Sequence, residues 1–365
     1  MIYTQSYITF ALNQITIMKN ILIVVSIAAL FSSCADSSKQ TETIEESSIT
    51  VETIDVSQYI SNFKKLPSVS ENLENKKSKA KIDLGHELFF DTRLSLKGNN
   101  SCNSCHNLTT YGVDNKATSL GDAGENGGRN SPTVLNASLH SSQFWDGRAK
   151  DVEEQAGMPI LNPVEMAIPN EQFLVDRLKE IPSYVERFNA AFPDAEEPIT
   201  YQNLRKAIGV FERELLTPSR FDLFLGGDEN ALTENEKKGF QTFNTVGCTS
   251  CHSGVALGGN MLMKFGLFED YAPLTKSEKI DYGKFESTGI ESDKFIFKVP
   301  SLRNIEKTFP YFHDGSVDKL EDAIQIMAKT QLGKILSKEE VKEINAFLTT
   351  LTGELPSKYK EAPKK

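Results

Sequence analysis

The sequence contains few cysteine, histidine and tryptophan residues. Its 365 residues include five cysteines, five histidines and one tryptophan. It also lacks a comfortable membrane span, because the apolar run at residues 21–31 is shorter than the roughly 20 residues that a spanning helix needs. The formal net charge of −10 argues against nucleic acid as a partner. The few cysteines and histidines are therefore the residues that say most about function.

Four of the five cysteines lie in two pentapeptides of the pattern C-x-x-C-H. Residues Cys102 to His106 read CNSCH, and Cys248 to His252 read CTSCH. This pattern attaches c-type haem: the two thiols bond to the porphyrin and the histidine is the proximal ligand of the iron. The alternatives are disulfides or a zinc site, but zinc would not explain a histidine directly after each pair. We predict two covalent haems, held by Cys102, Cys105, Cys248 and Cys251 and ligated by His106 and His252.

The N-terminus has the pattern of an export signal. A basic start at Lys19, an apolar run and small residues before Cys34 are typical of a signal peptide over residues 1–33, in which residues 1–17 reflect the choice of start site. The ending resembles a bacterial lipoprotein signal with Cys34 as the lipidated residue, and a plain secretory signal is the alternative. Residues 34–57 are polar and predict a flexible tether. We expect a periplasmic or envelope protein that meets the membrane through a lipid anchor alone.

Helical patterns surround both haem motifs, and the four predicted helices are residues 81–90, 201–216, 233–243 and 337–353. Gly85 and Gly239 each precede a phenylalanine by four residues, which leaves a face that another helix can approach closely. Ser or Thr followed three residues later by Glu predicts capping boxes at Thr233 and Ser337. The pattern in each half resembles the class I cytochrome c fold.

An internal repeat relates the two halves. Residues 132–156 and 300–324 align without a gap at an offset of 168, and identical residues include the pairs Pro132 and Pro300, Asn136 and Asn304, Phe144 and Phe312, Asp146 and Asp314, Gly147 and Gly315, and Glu153 and Glu321. We therefore predict an all-α protein of two class I cytochrome c-like domains, each with one covalent haem. The predicted domains are residues 58–216 and 217–353, followed by a tail at residues 354–365.

The two copies differ where a sixth iron ligand is expected. Met327 lies on an apolar helix face in the second copy and could ligate the second iron, although a core role is common for methionine. Met261 and Met263 are rivals. The first copy has Pro159 at the position of Met327, and Met158 beside it is an alternative ligand.

Beyond the haem motifs, the segments GVD, RNSPT, QFWDGRA, VPSLRN and YFHDGS resemble the bacterial di-haem cytochrome c peroxidases. The resemblance runs from about Leu84 to Gly333. It implies that the N-terminal haem reduces hydrogen peroxide to water. It also implies that the C-terminal haem receives electrons from a small carrier protein, either a cytochrome c or a cupredoxin. Relatives are commonly homodimers.

The resemblance also implies a role for several further residues. Gln155 and Glu165 would be the distal groups of the peroxide site, and Trp145 would lie between the haems. Met327 would be the second ligand of the electron-transfer haem. Calcium is implied at the domain interface, held by Asn130 and by the backbone carbonyls of Thr308 and Pro310, since hard cations prefer oxygen ligands.

One departure from the family concerns the loop after the first haem motif. Many members carry a histidine there that caps the peroxidatic iron until the other haem is reduced, whereas this sequence has Asp122 at that position. We expect an open or water-bound first iron in the oxidised protein, with capping by Met158 or His140 as the alternative. His86, His140 and His313 are interpreted as structural.

Two other functions stay open from sequence. A two-haem electron carrier would need both irons to be six-coordinate, which Met158 would support. A di-haem oxidase that modifies a partner protein, as in the methylamine-utilisation maturation enzyme, has a similar fold but a tyrosine where Met327 stands.

Overall fold

The computed structural model describes residues 53–364, and within them the fold is helical with one small sheet. The predicted signal peptide, Cys34 and most of the predicted tether lie outside these residues. The first half contains α1 (Ser57–Ile60), α2 (Lys79–Phe90), α3 (Cys102–Cys105), α4 (Val152–Gln155), α5 (Met158–Leu161), α6 (Glu171–Lys179), α7 (Pro182–Ala191) and α8 (Tyr201–Glu212). The second contains α9 (Arg220–Leu225), α10 (Glu234–Val246), α11 (Tyr271–Thr275), α12 (Phe285–Thr288), α13 (Leu320–Leu332) and α14 (Lys338–Thr349), with β1 (Leu262–Lys264) antiparallel to β2 (Ile296–Lys298).

Two glycines set the main helix crossings, as the sequence predicted. A Cβ atom added to Gly85 on α2 would lie 2.0 Å from the carbonyl oxygen of Ala207 on α8. A Cβ added to Gly239 on α10 would lie 1.9 Å from the carbonyl oxygen of Glu343 on α14. Each half therefore has the same crossed pair, in which the helix before the haem motif packs against the closing helix.

The closing helices are shorter than predicted: α8 ends at Glu212 and α14 at Thr349. The cause is the same in both halves. Leu215 accepts a hydrogen bond from the Asn136 amide at 2.9 Å, and Leu351 accepts one from the Asn304 amide at 3.1 Å. These asparagines are repeat partners, and both have left-handed backbones with φ of 61°. Just beyond each helix end, a backbone carbonyl thus bonds to an asparagine of the repeat instead of to a further helical turn.

The two repeats meet at one hydroxyl. The side-chain amides of Asn136 and Asn304 donate to Thr217 Oγ1 at 2.8 and 2.9 Å. Thr217 is fully buried. Because a buried polar group must find a partner, this arrangement fixes the chain between the halves against both repeats.

Two hydrophobic cores follow the two halves of the chain. Phe89, Phe188 and Phe211 belong to the first core, and Phe221, Phe240 and Phe347 belong to the second. The ends of the described chain cross over. Val56 and Phe63 pack into the second core, whereas Leu355 and Tyr359 pack into the first. Within residues 53–364, no helix is both long and apolar enough to cross a bilayer.

Candidate functional site

The first C-x-x-C-H motif forms one wall of a cavity of about 980 Å³. Helix α3 carries both cysteines, and the Ser101 and Ser104 side chains cap it reciprocally. Cys102, Cys105 and His106 line the cavity, and both thiols are half-buried and free. Burial raises the pKa of both thiols and lowers the pKa of the His106 imidazole. The histidine is therefore neutral, as an iron ligand must be.

The second motif lines a smaller cavity of about 230 Å³ with mostly apolar walls. His252 Nδ1 lies 3.1 Å from the carbonyl oxygen of Leu257, to which it can donate a hydrogen bond. This contact fixes the ring and leaves Nε2 for the cavity, the arrangement that a metal-ligating histidine needs. Burial lowers the pKa of His252 to about 4.

Gln155 and Glu165 both line the first cavity. Gln155 ends helix α4, which is anchored by a buried ion pair: Arg213 donates to both carboxylate oxygens of Glu153, at 2.9 and 2.7 Å. Glu165 accepts a hydrogen bond from the Asn162 side-chain amide at 2.9 Å. Burial raises the pKa of Glu165, which brings its titration closer to neutral pH.

The loop after the first haem motif, which contains Gly121 and Asp122, packs directly on the turn that carries Glu165. A Cβ added to Gly121 would lie 1.8 Å from the carbonyl oxygen of Val164, so only glycine fits. The next residue, Asp122, donates its amide hydrogen to the Glu165 carbonyl at 2.7 Å. The loop therefore holds the backbone of Glu165 in place.

The Asp122 side chain does not cap the first site. The backbone amides of Lys97 and Asn99 donate to its carboxylate at 2.6 and 3.0 Å, and the Ser95 hydroxyl donates at 2.8 Å. Burial opposes ionisation of Asp122, but these bonds lower its pKa overall. Asp122 is absent from the lining of the first cavity. The sequence resemblance predicts Asp122 at the capping position, but its side chain is bonded to the segment at residues 95–99.

The proposed alternative caps differ in position. Met158 is 38% exposed and lines neither cavity. His140 lines both cavities and has a buried Nε2 without a hydrogen-bond partner. His86 stacks on Phe211 at 4.7 Å between ring centroids and bonds the Glu361 carbonyl at 2.9 Å, which supports its structural interpretation.

Two methionines line the second cavity together with His252. Met327 lies on α13 and packs against the cluster of Phe265, Tyr271 and Phe297. Met263 lies on β1 and lines the same cavity, whereas Met261 does not. The structure therefore leaves Met327 and Met263 as the two candidate ligands and removes Met261.

The two cavities share a wall, which we call the junction. It consists of Asn130, Pro132, Thr133, His140, Phe144, Trp145, Lys298 and His313. Trp145 donates from Nε1 to the Asn130 carbonyl at 2.9 Å. Trp145, the single tryptophan of the sequence, thus lines both cavities. Its place between two haems, which the family resemblance implies, stays a prediction.

The residues predicted to hold calcium also lie near this wall. Asn130, Thr308 and Pro310 all line the second cavity. The Asn130 side-chain nitrogen donates to the Lys116 carbonyl. This bond uses the amide nitrogen and not the oxygen Oδ1, which is the atom that would bind calcium. Among residues 53–364, no group of three or more His, Cys, Asp or Glu side chains is arranged for a metal ion. A calcium site here would depend on neutral oxygen donors.

Sequence reasoning missed Glu212, a buried carboxyl group that lines the first cavity. Burial raises its pKa to about 8, and the neighbouring Glu153 adds to that shift. Ile208, one helical turn earlier, is also buried, so an acidic residue on the apolar face of α8 was the available signal.

The residues present fit covalent haem in both cavities. Each cavity is lined by two free thiols and one half-buried histidine whose pKa is lowered. The first volume lies at the upper end of the 300–1,000 Å³ that is common for cofactor sites. The second, about 230 Å³, lies below that range, so the fit there rests on the two thiols and the histidine that line it.

Comparisons with known proteins agree with this chemistry. The family model described as di-haem cytochrome c peroxidase matches residues 79–230. Cytochrome c551 peroxidase of Nitrosomonas europaea is 48% identical over 276 residues, which cover 75% of this chain and 80% of that protein. Cytochrome c551 peroxidase of Pseudomonas aeruginosa is 45% identical over 298 residues, covering 80% and 85%. The crystal structure of a MauG-like protein associated with microbial copper homeostasis matches with a TM-score of 0.72 and 31% identity, covering 82% of this chain and 97% of that one.

Proposed function

Because the chain belongs to the di-haem cytochrome c peroxidase family, we propose that it reduces hydrogen peroxide at the first cavity with electrons that enter at the second. The enzyme class itself follows from the family: it is an oxidoreductase that acts on peroxide. The observation that carries the division of labour is the difference in distal residues. Gln155 and Glu165 line the first cavity, and Met327 lines the second.

The family implies haem c as the cofactor, and we assign one to each cavity in a cytochrome c-like domain. When bound, each haem supplies an iron that exchanges one electron at a time. Cys102 and Cys105 would hold the first haem, and Cys248 and Cys251 the second. His106 and His252 would be the proximal ligands, which their burial supports.

The protein's part in peroxide cleavage is to move one proton. Hydrogen peroxide, two protons and two electrons give two waters. For one oxygen to leave as water when the O–O bond breaks, it must first receive the proton of the other oxygen, the one nearer the haem site. The Glu165 carboxylate accepts it and then donates it to the departing oxygen. Burial raises the pKa of Glu165, which makes its carboxylate a stronger proton acceptor. The Gln155 amide orients peroxide by hydrogen bonding.

The second site suits electron entry. Met327 as sixth ligand would raise the potential of the iron and exclude other ligands. An exposed apolar patch of Leu267, Phe268 and Ile335 lies where α13 ends, and the Phe268 amide donates to Thr330 on that helix. This patch supports docking of a small carrier protein, a cytochrome c or a cupredoxin. Electrons would then cross the junction by way of Trp145.

Calcium, the lipid anchor, envelope location and homodimer formation complete the proposal. Asn130, Thr308 and Pro310 would supply oxygen ligands to calcium. The anchor at Cys34 lies outside the described residues. It is tested by Cys34→Ser, which should release the protein from membranes; retention on the membrane would contradict the anchor.

Steady-state peroxide turnover with reduced cytochrome c as donor tests the proposed function. Turnover that depends on both haems is the expected result. Peroxide binding and turnover that are absent with every donor would favour a two-haem electron carrier. The partner-modifying oxidase is a weaker alternative because Met327 stands where that enzyme has a tyrosine.

A further inference from the structure

The repeat relates the predicted calcium residues to a second set of residues at the junction. At the offset of 168, the pairs are Asn130 with Lys298, His140 with Thr308, and Ser142 with Pro310. The predicted calcium set combines Asn130 of the first copy with two residues of the second copy. The other set combines Lys298 of the second copy with two residues of the first copy. Lys298 occupies the position that corresponds to the predicted calcium ligand Asn130.

The structure places the Lys298 ammonium among its own set. Nζ donates to the Ser142 carbonyl at 3.0 Å and lies 3.3 Å from His140 Nδ1. Thr308 and Pro310, the partners of these residues, are expected to offer carbonyl oxygens to calcium. The Lys298 ammonium thus lies at the position where the symmetry of the repeat would place a second metal ion.

Lys298 has no carboxylate partner within the described part of the chain. Its side chain is buried, with 6% of the residue exposed, and it forms no ion pair among residues 53–364. Asp146 is the acidic group that acts on it through space, but the Asp146 carboxylate already pairs with Arg129 at 2.7 Å and Arg148 at 2.9 Å. A buried charge without a partner is costly.

An anionic group bound in either cavity could reach Lys298, because this residue lines both cavities. Haem carries two propionate carboxylates at the edge opposite its cysteine-bonded vinyl groups. Arg129 and Arg148 also line the first cavity, but both are already neutralised by acidic side chains. Lys276 and Lys279 also line the first cavity without an ion pair among the described residues, but both are exposed and neither lines the second cavity. Lys298 is the buried lysine of the junction that faces both cavities.

We propose that the Lys298 ammonium binds a haem propionate at the junction and raises the reduction potential of that haem. This inference rests on the proposed function, since it requires both cavities to be loaded with haem. A positive charge beside the haem favours the addition of an electron through Coulomb attraction. Lys298 is thus a positioning residue that tunes electron transfer across the junction.

Spectroelectrochemical titration of the purified di-haem protein tests this. Lys298→Met and Lys298→Gln should lower the reduced-to-oxidised ratio of at least one haem about tenfold at a fixed applied potential, a shift of about 59 mV for one electron. Lys298→Arg keeps the positive charge and should leave the reduction potentials of both haems as in the unaltered protein. Lys342→Met removes an exposed lysine that lines neither cavity and should change neither haem.

Two kinds of failure are distinguishable. If the lysine variants carry two haems per chain and titrate like the unaltered protein, the role of Lys298 is wrong while the peroxidase function stands. If the unaltered protein carries fewer than two haems or does not turn over peroxide, the proposed function fails instead. Lys298→Gln keeps a hydrogen-bond donor for the Ser142 carbonyl, so it retains the test should Lys298→Met not fold.

Discussion

Trp145 and His313 occupy equivalent positions in the two repeats and lie edge to face at the junction, with ring centroids 6.3 Å apart. Their backbones are related in the same way. The Asn130 amide donates to the His313 carbonyl at 2.7 Å, and the Lys298 amide donates to the Trp145 carbonyl at 2.6 Å. The junction thus has near two-fold symmetry in its backbone, while its side chains differ.

The first prediction concerns proton transfer by Glu165. Glu165→Gln should lower kcat/KM for peroxide by about 10²–10⁴-fold, because an amide cannot relay the proton. In the unaltered protein, activity should fall as pH drops through the raised pKa of Glu165, since the carboxylate is the form that accepts the proton. Steady-state kinetics over a pH series measure both effects.

Glu125→Gln is the matched control for this prediction, because Glu125 is exposed on the neighbouring loop. It should keep full activity and the same acid limb. Activity of Glu165→Gln within about threefold of the unaltered protein, with its acid limb intact, would remove Glu165 from the mechanism.

The second prediction separates the two methionines of the second cavity. Met327→Leu should abolish the low-spin, six-coordinate state of the second haem and lower its reduction potential, because the sixth ligand is lost. Met263→Leu should leave both properties unchanged. Electron paramagnetic resonance and potentiometry of the two variants decide between them, and the reverse pattern would make Met263 the ligand.

The third prediction concerns the helix crossing at Gly239. Gly239→Ala should destabilise the protein by about 1–3 kcal/mol, because the added methyl group meets the Glu343 carbonyl and forces the helices apart. Gly128→Ala should be nearly neutral, since nothing lies within 4 Å of its added Cβ. Denaturant unfolding compares the pair, and equal midpoints would show that the crossing can relax.

The fourth prediction concerns the buried Glu212. Its pKa in the folded protein is about 8, against an ordinary value of 4.5, so the fold favours the protonated form. Its contribution to stability is full below pH 4.5 and is lost as pH rises towards 8, at a rate of at most about 1.4 kcal/mol per pH unit. Glu212→Gln should flatten the melting temperature across this window, and an unchanged slope would contradict the shift.

Local signals in the sequence predicted much of the fold. The capping boxes at Thr233 and Ser337 are present, and the close approaches at Gly85 and Gly239 are confirmed. These features depend on residues three or four apart and on the absence of one side chain. The early ends of α8 and α14 escaped prediction because they depend on asparagines far away in the chain.

The site was predictable to a similar extent. The haem motifs are short and specific, so the amino-acid sequence alone indicates the chemistry of the chain. The commitment of the Asp122 side chain to residues 95–99, and the burial of Glu212 and Lys298 against the cavities, arise from tertiary contacts. A sequence pattern shows which charges exist, but only the fold shows which of them lack a partner.

The spin state of each ferric haem in the fully oxidised protein tests the central claim, that the two irons do different work. With Asp122 committed elsewhere, we predict a high-spin first haem with an open or water-bound sixth site, and a low-spin second haem with a methionine ligand. We also expect the oxidised protein to bind peroxide or cyanide at the first haem without prior reduction. Two low-spin, six-coordinate haems that bind neither ligand would contradict this claim.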